Sequence, residues 1–371
     1  MSALKTHASR PILRIDLGAV VANYNAIAKK VAPAKIGASV KADAYGLGAR
    51  AVGKALFTAG CRTFFVAHAA EGKALRKYIG EEAEIYTLSG ATPKGIKSIL
   101  AANLKPVLNS LAQAKLWAQA ITYLESSPGA ALHFDTGINR LGVPEEEIAA
   151  FADDEKFFKS LNIDLIMSHL ACASLTDHPM NRDQLKRFQR LAARFPATPL
   201  SLANTGGVYL GPDFYFDMVR PGIGLYGGAA TDKPTIESVT PAVSLHAPIL
   251  QFKNVKKGET IGYNASFVAR KNMRIAIASV GYADGLPVRL SGSNSSNGGL
   301  AHISNTAVPI VGRVSMDYIA LDFSNLKNQV QLGEMAVFLG ADLDAQAALA
   351  GTINYELLTH LGSRCKRVYI D

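Results

Sequence analysis

The sequence is poor in cysteine. Only Cys61, Cys172 and Cys365 occur in 371 residues, and they lie far apart. That excludes a disulfide framework, and without a CxxC pair or a Cys/His cluster no zinc or other metal is expected. A reducing cytoplasm is the expected compartment. Long apolar runs are missing too. Nothing approaches the roughly 20 residues needed to cross a bilayer, so no membrane partner is expected. Met1 to Arg10 lacks the apolar core of a secretory signal. Acidic residues are the scarcer charge, 30 Asp+Glu against 39 Lys+Arg, for a formal charge of +9. A basic balance raises nucleic-acid binding. Yet the densest clusters, Lys29-Lys30 and Lys253 to Lys257, are short and have no interleaved aromatics. No helix-turn-helix, RRM or KH signature accompanies them, so small anions are the expected partners and nucleic acid is not. With 49% apolar and 19% charged residues, the chain has a folded globular composition.

What is present is an alternation. Short apolar, β-rich segments occur at residues 35–41, 62–67, 84–89, 104–109, 130–135, 164–169, 200–204 and 217–225. Helical spacing fills the intervals, most clearly at residues 111–124 and 181–195. Residues 92–100 begin with a Thr cap followed by Pro. Eight such units predict a closed (β/α)8 TIM-type barrel. The rival, an open doubly wound sheet, lacks its GxGxxG turn after the first strand. Beyond about residue 235 the texture changes to strand-like runs at 238–251, 274–280, 307–311, 318–322 and 334–339, separated by Gly/Asn/Ser turns. A helix is expected at 345–361, and 291–299 reads as a flexible loop. The expected domains are therefore 1–235, the barrel, and 236–371, mostly β. The first 10–15 residues are available to join the β domain.

In a barrel of this type, polar residues at the C-terminal strand ends form the site. Lys41, Arg140, His169, Asn204, Thr205 and Arg220 all fall there. A lysine closing a buried strand either snorkels to the rim or serves as a Schiff-base lysine with a lowered pKa. Gly206, Gly207, Gly222 and Gly224 follow the seventh and eighth strands, where such barrels bind phosphate. Taken singly, each glycine is an ordinary turn residue. Lysine plus phosphate site on one face suggests pyridoxal 5′-phosphate. Arg220 then carries information, because an arginine cannot accept the proton that would make the pyridine ring a strong electron sink. A weaker sink suits racemisation better than transamination. The alternative for Arg220 is a structural arginine paired with a carboxylate.

The segments SVKADAYGLG, DTGINRLGV, MSHLACAS, LANTGG, VRPGIGLYG, IGYNAS, GYADG and GRVSMD, in this order, closely resemble alanine racemase, from about residue 10 to the C-terminus. The resemblance implies a head-to-tail homodimer whose composite site lies between one subunit's barrel and the other's β domain. It implies interconversion of L- and D-alanine by two bases, supplying D-alanine for peptidoglycan. Lys41 is implied as cofactor lysine and base, and Tyr263 of the partner as the opposite-face base. Tyr45, Thr205, Gly222 and Ile223 are implied as phosphate contacts, with Asn204 beside them. Arg220 is implied as the pyridine-nitrogen partner with His169 hydrogen-bonded behind it. Arg140 and Met316 are implied in substrate binding, and Tyr282 and Asp317 in the entryway.

Two positions depart from the family pattern. Many relatives have a lysine, which can be carbamylated, where this chain has His133. Histidine forms no stable carbamate, so Arg140 is expected to be oriented differently, by an anion or a water. Ser363 stands about where some relatives carry a phosphate-binding tyrosine, so one phosphate contact is expected to be missing or water-replaced. Asparagine also occurs in the family at the position of Asp43, with no expected consequence. Three further readings compete: a racemase of broader specificity that accepts serine, a basic-amino-acid decarboxylase and a single-barrel cofactor carrier. An acidic pyridine partner and a catalytic cysteine would mark the decarboxylase, and this chain has Arg220 and Ser315-Met316 instead. The carrier would lack the domain that holds Tyr263.

Overall fold

The computed structural model describes residues 10–233, 239–326 and 329–371. The chain divides into two compact units, residues 20–239 and residues 1–19 with 240–371. In chain order the strands are β1 (Ile12–Asp16), β2 (Lys35–Ser39), β3 (Thr63–Val66), β4 (Glu84–Thr87), β5 (Lys105–Leu108), β6 (Ala130–His133), β7 (Ile163–Met167), β8 (Leu200–Ser201) and β9 (Met218–Val219). They continue with β10 (Val243–Val255), β11 (Thr260–Ile261), β12 (Phe267–Val268), β13 (Met273–Ala278), β14 (Leu300–Ile303), β15 (Thr306–Val311), β16 (Ile319–Asp322), β17 (Met335–Phe338) and β18 (Lys366–Ile370).

In the first unit, β2 to β9 form one parallel sheet, in the order β8-β7-β6-β5-β4-β3-β2-β9. The ends meet through main-chain bonds from Asp217 N–H to Leu200 O (3.1 Å) and from Arg220 N–H to Ala203 O (2.8 Å), which close the expected eight-stranded barrel. β3 and β6 are buried at every position, as parallel strands covered on both faces must be. The interior is filled by Phe65, Tyr86, Val107, Ala131, Leu165, Met167 and Met218. Phe65 and Tyr86 stack at 5.0 Å. At the opposite end from the expected site, Lys105 bridges Glu84 and Asp164, and Tyr86 Oη donates to Asp164 (2.8 Å). The helix after β4 starts late. Thr92 Oγ1 takes the Gly95 N–H (3.1 Å), but regular helix covers only Ile96–Ala101.

The second unit is a mostly antiparallel sheet in the order β13-β16-β15-β14-β17-β10-β1-β18. It returns on itself because β13 also pairs β10. The 13-residue β10 manages both pairings with a bulge between Ile249 and Gln251, its first half facing β17 and its second half β13. β1 joins this unit, antiparallel to β10 and parallel to β18. The strand expected from residue 238 begins at Val243, and Ser238 lies outside the described residues. The single helix expected at 345–361 is two, Leu343–Leu349 and Asn354–His360. Gly351, at φ +66°, turns the chain between them.

Candidate active site

Lys41 does not end its strand as expected. β2 stops at Ser39, and Lys41 opens a left-handed turn in which Ala42, Asp43, Ala44 and Tyr45 have φ of 52°, 54°, 53° and 56°. For L-residues this conformation costs about 1–2 kcal/mol each. Strain of this kind gathers at functional sites and persists only where the surroundings enforce it. Asp43 Oδ1 takes the Ala49 N–H (2.7 Å), and Glu71 Oε1 takes the Ala42 N–H (2.9 Å). Burial, then the Arg140 charge, lowers the Lys41 pKa against a smaller opposing pull from Glu71. The amine is thereby brought toward the neutral, nucleophilic form.

The phosphate-type cradle stands beside this turn. Thr205 is buried, and its Oγ1 accepts the Gly222 N–H (2.8 Å) and the Gly224 N–H (3.4 Å). Its own hydroxyl hydrogen remains to donate. The Tyr45 ring packs so closely on Gly222 that a Cβ there would lie 2.2 Å from Tyr45 Oη, so only glycine fits. Tyr45 is buried against Tyr226 at 4.9 Å, and burial raises its pKa and keeps the phenol a donor. Tyr226 Oη in turn donates to Ser39 O (2.9 Å). Asn204 caps the short helix that follows, its Oδ1 taking the Gly207 N–H (2.9 Å). Ile223 is buried at the start of the next turn.

Arg220 lies just past β9, bridged to Asn204 rather than within the strand. It is buried, and it donates to Ser201 Oγ (2.5 Å), Ser168 O (2.5 Å) and Leu202 O (3.4 Å). These are neutral acceptors. Among the described residues no carboxylate pairs with it, which removes the reading of a structural ion pair. Burial pushes its pKa down to about 9, so it stays charged at neutrality. The expected hydrogen bond to the His169 ring is absent from these partners. His169 and Arg220 are linked by charge instead: burial first, and then Arg220, Arg140, His133 and Lys41, hold His169 neutral.

His133 ends β6 and is buried. Its Nδ1 lies 2.7 Å from Asn109 Oδ1. The Asn109 amide nitrogen donates to Val107 O (2.8 Å) and Leu88 O (3.0 Å), so its oxygen faces the histidine and His133 Nδ1 carries the proton. His133 Nε2 is then a bare acceptor, buried and without a hydrogen-bond partner among the described residues. Burial, followed by the Arg220 and Arg140 charges, holds the His133 pKa at about 3. A bare acceptor suits an N–H or O–H donor and repels an anion. Arg140 itself is exposed on a loop fixed by Asp135, whose Oδ1 takes the Gly137 N–H (2.8 Å) and the Asn139 N–H (3.2 Å).

The remaining expected residues belong to the β unit. Tyr263 stands at the tip of the β11–β12 hairpin, where Gly262, Asn264 and Ala265 have φ of 77°, 62° and 49°. It shares with Arg313, Ser315 and Tyr318 the lining of an apolar cleft of about 450 Å³. The GYADG and VSMD segments are joined main chain to main chain. Tyr282 N–H donates to Ser315 O (3.0 Å) and Ala283 N–H to Met316 O (3.1 Å). A Cβ at Gly281 would lie 2.3 Å from both carbonyl oxygens. Asp317 pairs with Arg364 (2.7 Å), which also reaches the buried Asp284 (3.2 Å). Ser363 is exposed. The reading of the sequence missed Glu71, Asn109 and Ser201. Each bonds a segment distant in sequence, which no local pattern shows, although Glu71 holds the local Ala67 and His68 N–H groups at the start of its helix as well.

Residues 15–230 match the family model described as alanine racemase, N-terminal domain, and residues 242–369 match alanine racemase, C-terminal domain. The alanine racemase of Brucella abortus (strain 2308) is 41% identical over 374 residues, covering 97% of this chain and 93% of that protein. A protein of Agrobacterium fabrum (strain C58 / ATCC 33970) named "Alanine racemase, catabolic" is 42% identical over 362 residues, covering 97% of this chain and 92% of that protein. The crystal structure of alanine racemase from Bartonella henselae with covalently bound pyridoxal phosphate superposes with a TM-score of 0.91 at 38% identity, covering 98% of this chain and 100% of that one.

Proposed function

We propose that in this chain, which belongs to the alanine racemase family, Lys41 and Tyr263 are the two bases of the reaction. The activity is the pyridoxal phosphate-dependent interconversion of L- and D-alanine. When bound, the cofactor withdraws electrons from the substrate Cα and so makes its proton removable. The residues present fit that group. Gly222 leaves room that a Cβ would fill, Thr205 and the buried Tyr45 supply hydroxyl donors, and Lys41 supplies an amine of lowered pKa.

In this reading Lys41 would hold the cofactor through its amine and, once the substrate amine takes that place, its freed amine would exchange the Cα proton on one face. Tyr263 exchanges it on the other, so the substrate is inverted without turning over in the site. Arg220 donates to the pyridine nitrogen and, being unable to give up its proton, moderates the electron demand. Asn204 and Ile223 support the cradle. Arg140 holds the substrate carboxylate, and His133 Nε2 accepts an N–H from Arg140 or an O–H from a water between them. Met316 contacts substrate through its main chain, while Tyr282 and Asp317 line the approach. With one phosphate contact fewer near Ser363, water fills that place. The working form is a cytoplasmic homodimer, each barrel completed by Tyr263 and Met316 of the second copy.

The observation that carries this reading is the pairing of Lys41 on its strained turn with the Thr205–Gly222 cradle on one barrel face. Subunit complementation tests it. Lys41→Ala and Tyr263→Phe proteins, each inactive alone, should on mixing regain about a quarter of wild-type activity, because half the dimers are mixed and each then holds one intact site. No recovery after verified subunit exchange would place both residues in one subunit's site.

A further inference from the structure

We propose that Glu71 positions Lys41: its carboxylate fastens the left-handed turn carrying the lysine to the neighbouring strand-end loop. The inference rests on the reading of Lys41 as the cofactor lysine. The turn's far side is held from within, by Ala44 N–H to Val40 O (2.9 Å), Gly46 N–H to Ala42 O (2.8 Å) and Gly48 N–H to Asp43 O (2.8 Å). Its near side is different. The N–H of Ala42, the residue directly after Lys41, turns outward and is taken by Glu71 Oε1 at 2.9 Å. The other oxygen, Oε2, takes the Ala67 N–H (2.7 Å) and the His68 N–H (3.4 Å) just beyond β3. One carboxylate thus collects three main-chain donors from two adjacent loops.

Four L-residues in succession at φ 52–56° stay there only if something outside the turn enforces it. Glu71 is a side chain that reaches in from another element to bond the turn's main chain. An amide cannot replace it. Glutamine offers one oxygen, and its NH2 group would confront either the Ala42 or the Ala67 N–H. Glu71 also sits in the first turn of the helix Ala69–Ile79, so its own position is fixed by regular structure. The arrangement makes the direction of the Lys41 side chain depend on a residue that touches neither substrate nor cofactor.

The test uses the holoenzyme and its Glu71→Gln and Glu71→Ala forms. Borohydride reduction and peptide mapping of the wild type first locate the cofactor. Deuterium uptake is then followed across residues 40–49, beside the rate at which the visible band decays when free cofactor is removed. Losing a charge-assisted bond predicts uptake and cofactor loss about tenfold faster in Glu71→Gln and up to about a hundredfold faster in Glu71→Ala. Uptake outside residues 40–49 and the loop at 67–71, whose Ala67 and His68 N–H groups Glu71 also holds, should be unchanged, whereas a merely structural role would raise it throughout. Wild-type uptake at 40–49 and wild-type cofactor retention in Glu71→Gln would overturn the proposal. That variant decides the matter if Glu71→Ala does not fold. Label found on another lysine would instead overturn the Lys41 reading, and the uptake data would then decide the hold on the turn alone.

Discussion

In the barrel unit Thr205, Arg220 and His133 are buried and bonded to their own unit, whereas in the β unit Tyr263, Met316 and Tyr282 are 67%, 51% and 43% exposed. The barrel residues have their final surroundings within one folded unit. Ser201 and Ser168 O hold the Arg220 guanidinium, Asn109 sets the His133 proton, and Gly222 shapes the cradle. Such preorganisation is what a site needs to stabilise charge without rearranging. The β unit offers its residues differently. A hairpin with three consecutive-region positive φ values pushes Tyr263 outward, and large exposed side chains grouped on one surface mark an interaction site. The contrast supports the proposed division, in which the barrel would hold the cofactor and the β unit would complete the site of another copy.

The largest expected effect falls on the barrel half. In the proposed reading Lys41→Ala removes both the bond to the cofactor and one base, so racemisation should fall by at least about 10⁴-fold. The visible band of the lysine-bound cofactor should vanish with it. A covalent yellow band that survives would assign the cofactor to another lysine. Tyr263→Phe is the matching cut in the exposed half. It keeps the ring and removes the hydroxyl, and should lower turnover by about 10²–10⁴-fold in at least one direction. Chiral analysis of both directions checks it. Full activity both ways would leave the exposed half without chemistry and end the proposed division.

A smaller effect sharpens the comparison inside the barrel. His133→Phe fills the same space but offers no acceptor. Arg140 would lose the acceptor proposed for it, and the KM for alanine should rise about tenfold. Added chloride or bicarbonate should leave the wild-type KM unchanged, since a bare Nε2 with a pKa held near 3 gives an anion nothing to bind. A strong dependence on either ion would restore the view that an anion orients Arg140.

These residues also show how far the sequence could be read. The eight barrel strands were legible because strands buried on both faces, such as AALH at 130–133 and TFFV at 63–66, are short apolar runs between helical stretches. Lys41, Arg140, His169 and Arg220 were legible as polar residues at the ends of those runs. β1 and β18 were not read as strands, because each pairs with a segment hundreds of residues away in the chain, although the first 10–15 residues were read as available to the β domain that β1 joins. The left-handed turn was invisible for a physical reason. Ala-Asp-Ala-Tyr has ordinary right-handed preferences, and Glu71, which overrides them, lies 29 residues further on. The route by which Arg220 is satisfied was misread for a similar reason: Ser201 Oγ and two carbonyls do what His169 was expected to do.

That turn supplies the smallest effect. Ala42 is exposed and sits at φ 52°, ψ 48°, a region an L-residue enters at a cost of about 1–2 kcal/mol and glycine enters freely. Ala42→Gly should therefore relieve strain in the folded state. Against this stands the larger freedom glycine gives the unfolded chain, about 0.5–1 kcal/mol. The relief exceeds the cost, so the variant should be more stable by about 0.5–1 kcal/mol, read as a small rise in the denaturation midpoint of the cofactor-free protein. A lowered midpoint would mean that the left-handed turn carries no strain, and that the barrel half holds Lys41 without having to force it. If stability rises while turnover falls, the strain itself contributes to aiming Lys41. The two measurements together thus separate a turn that is merely tolerated from one that the site requires.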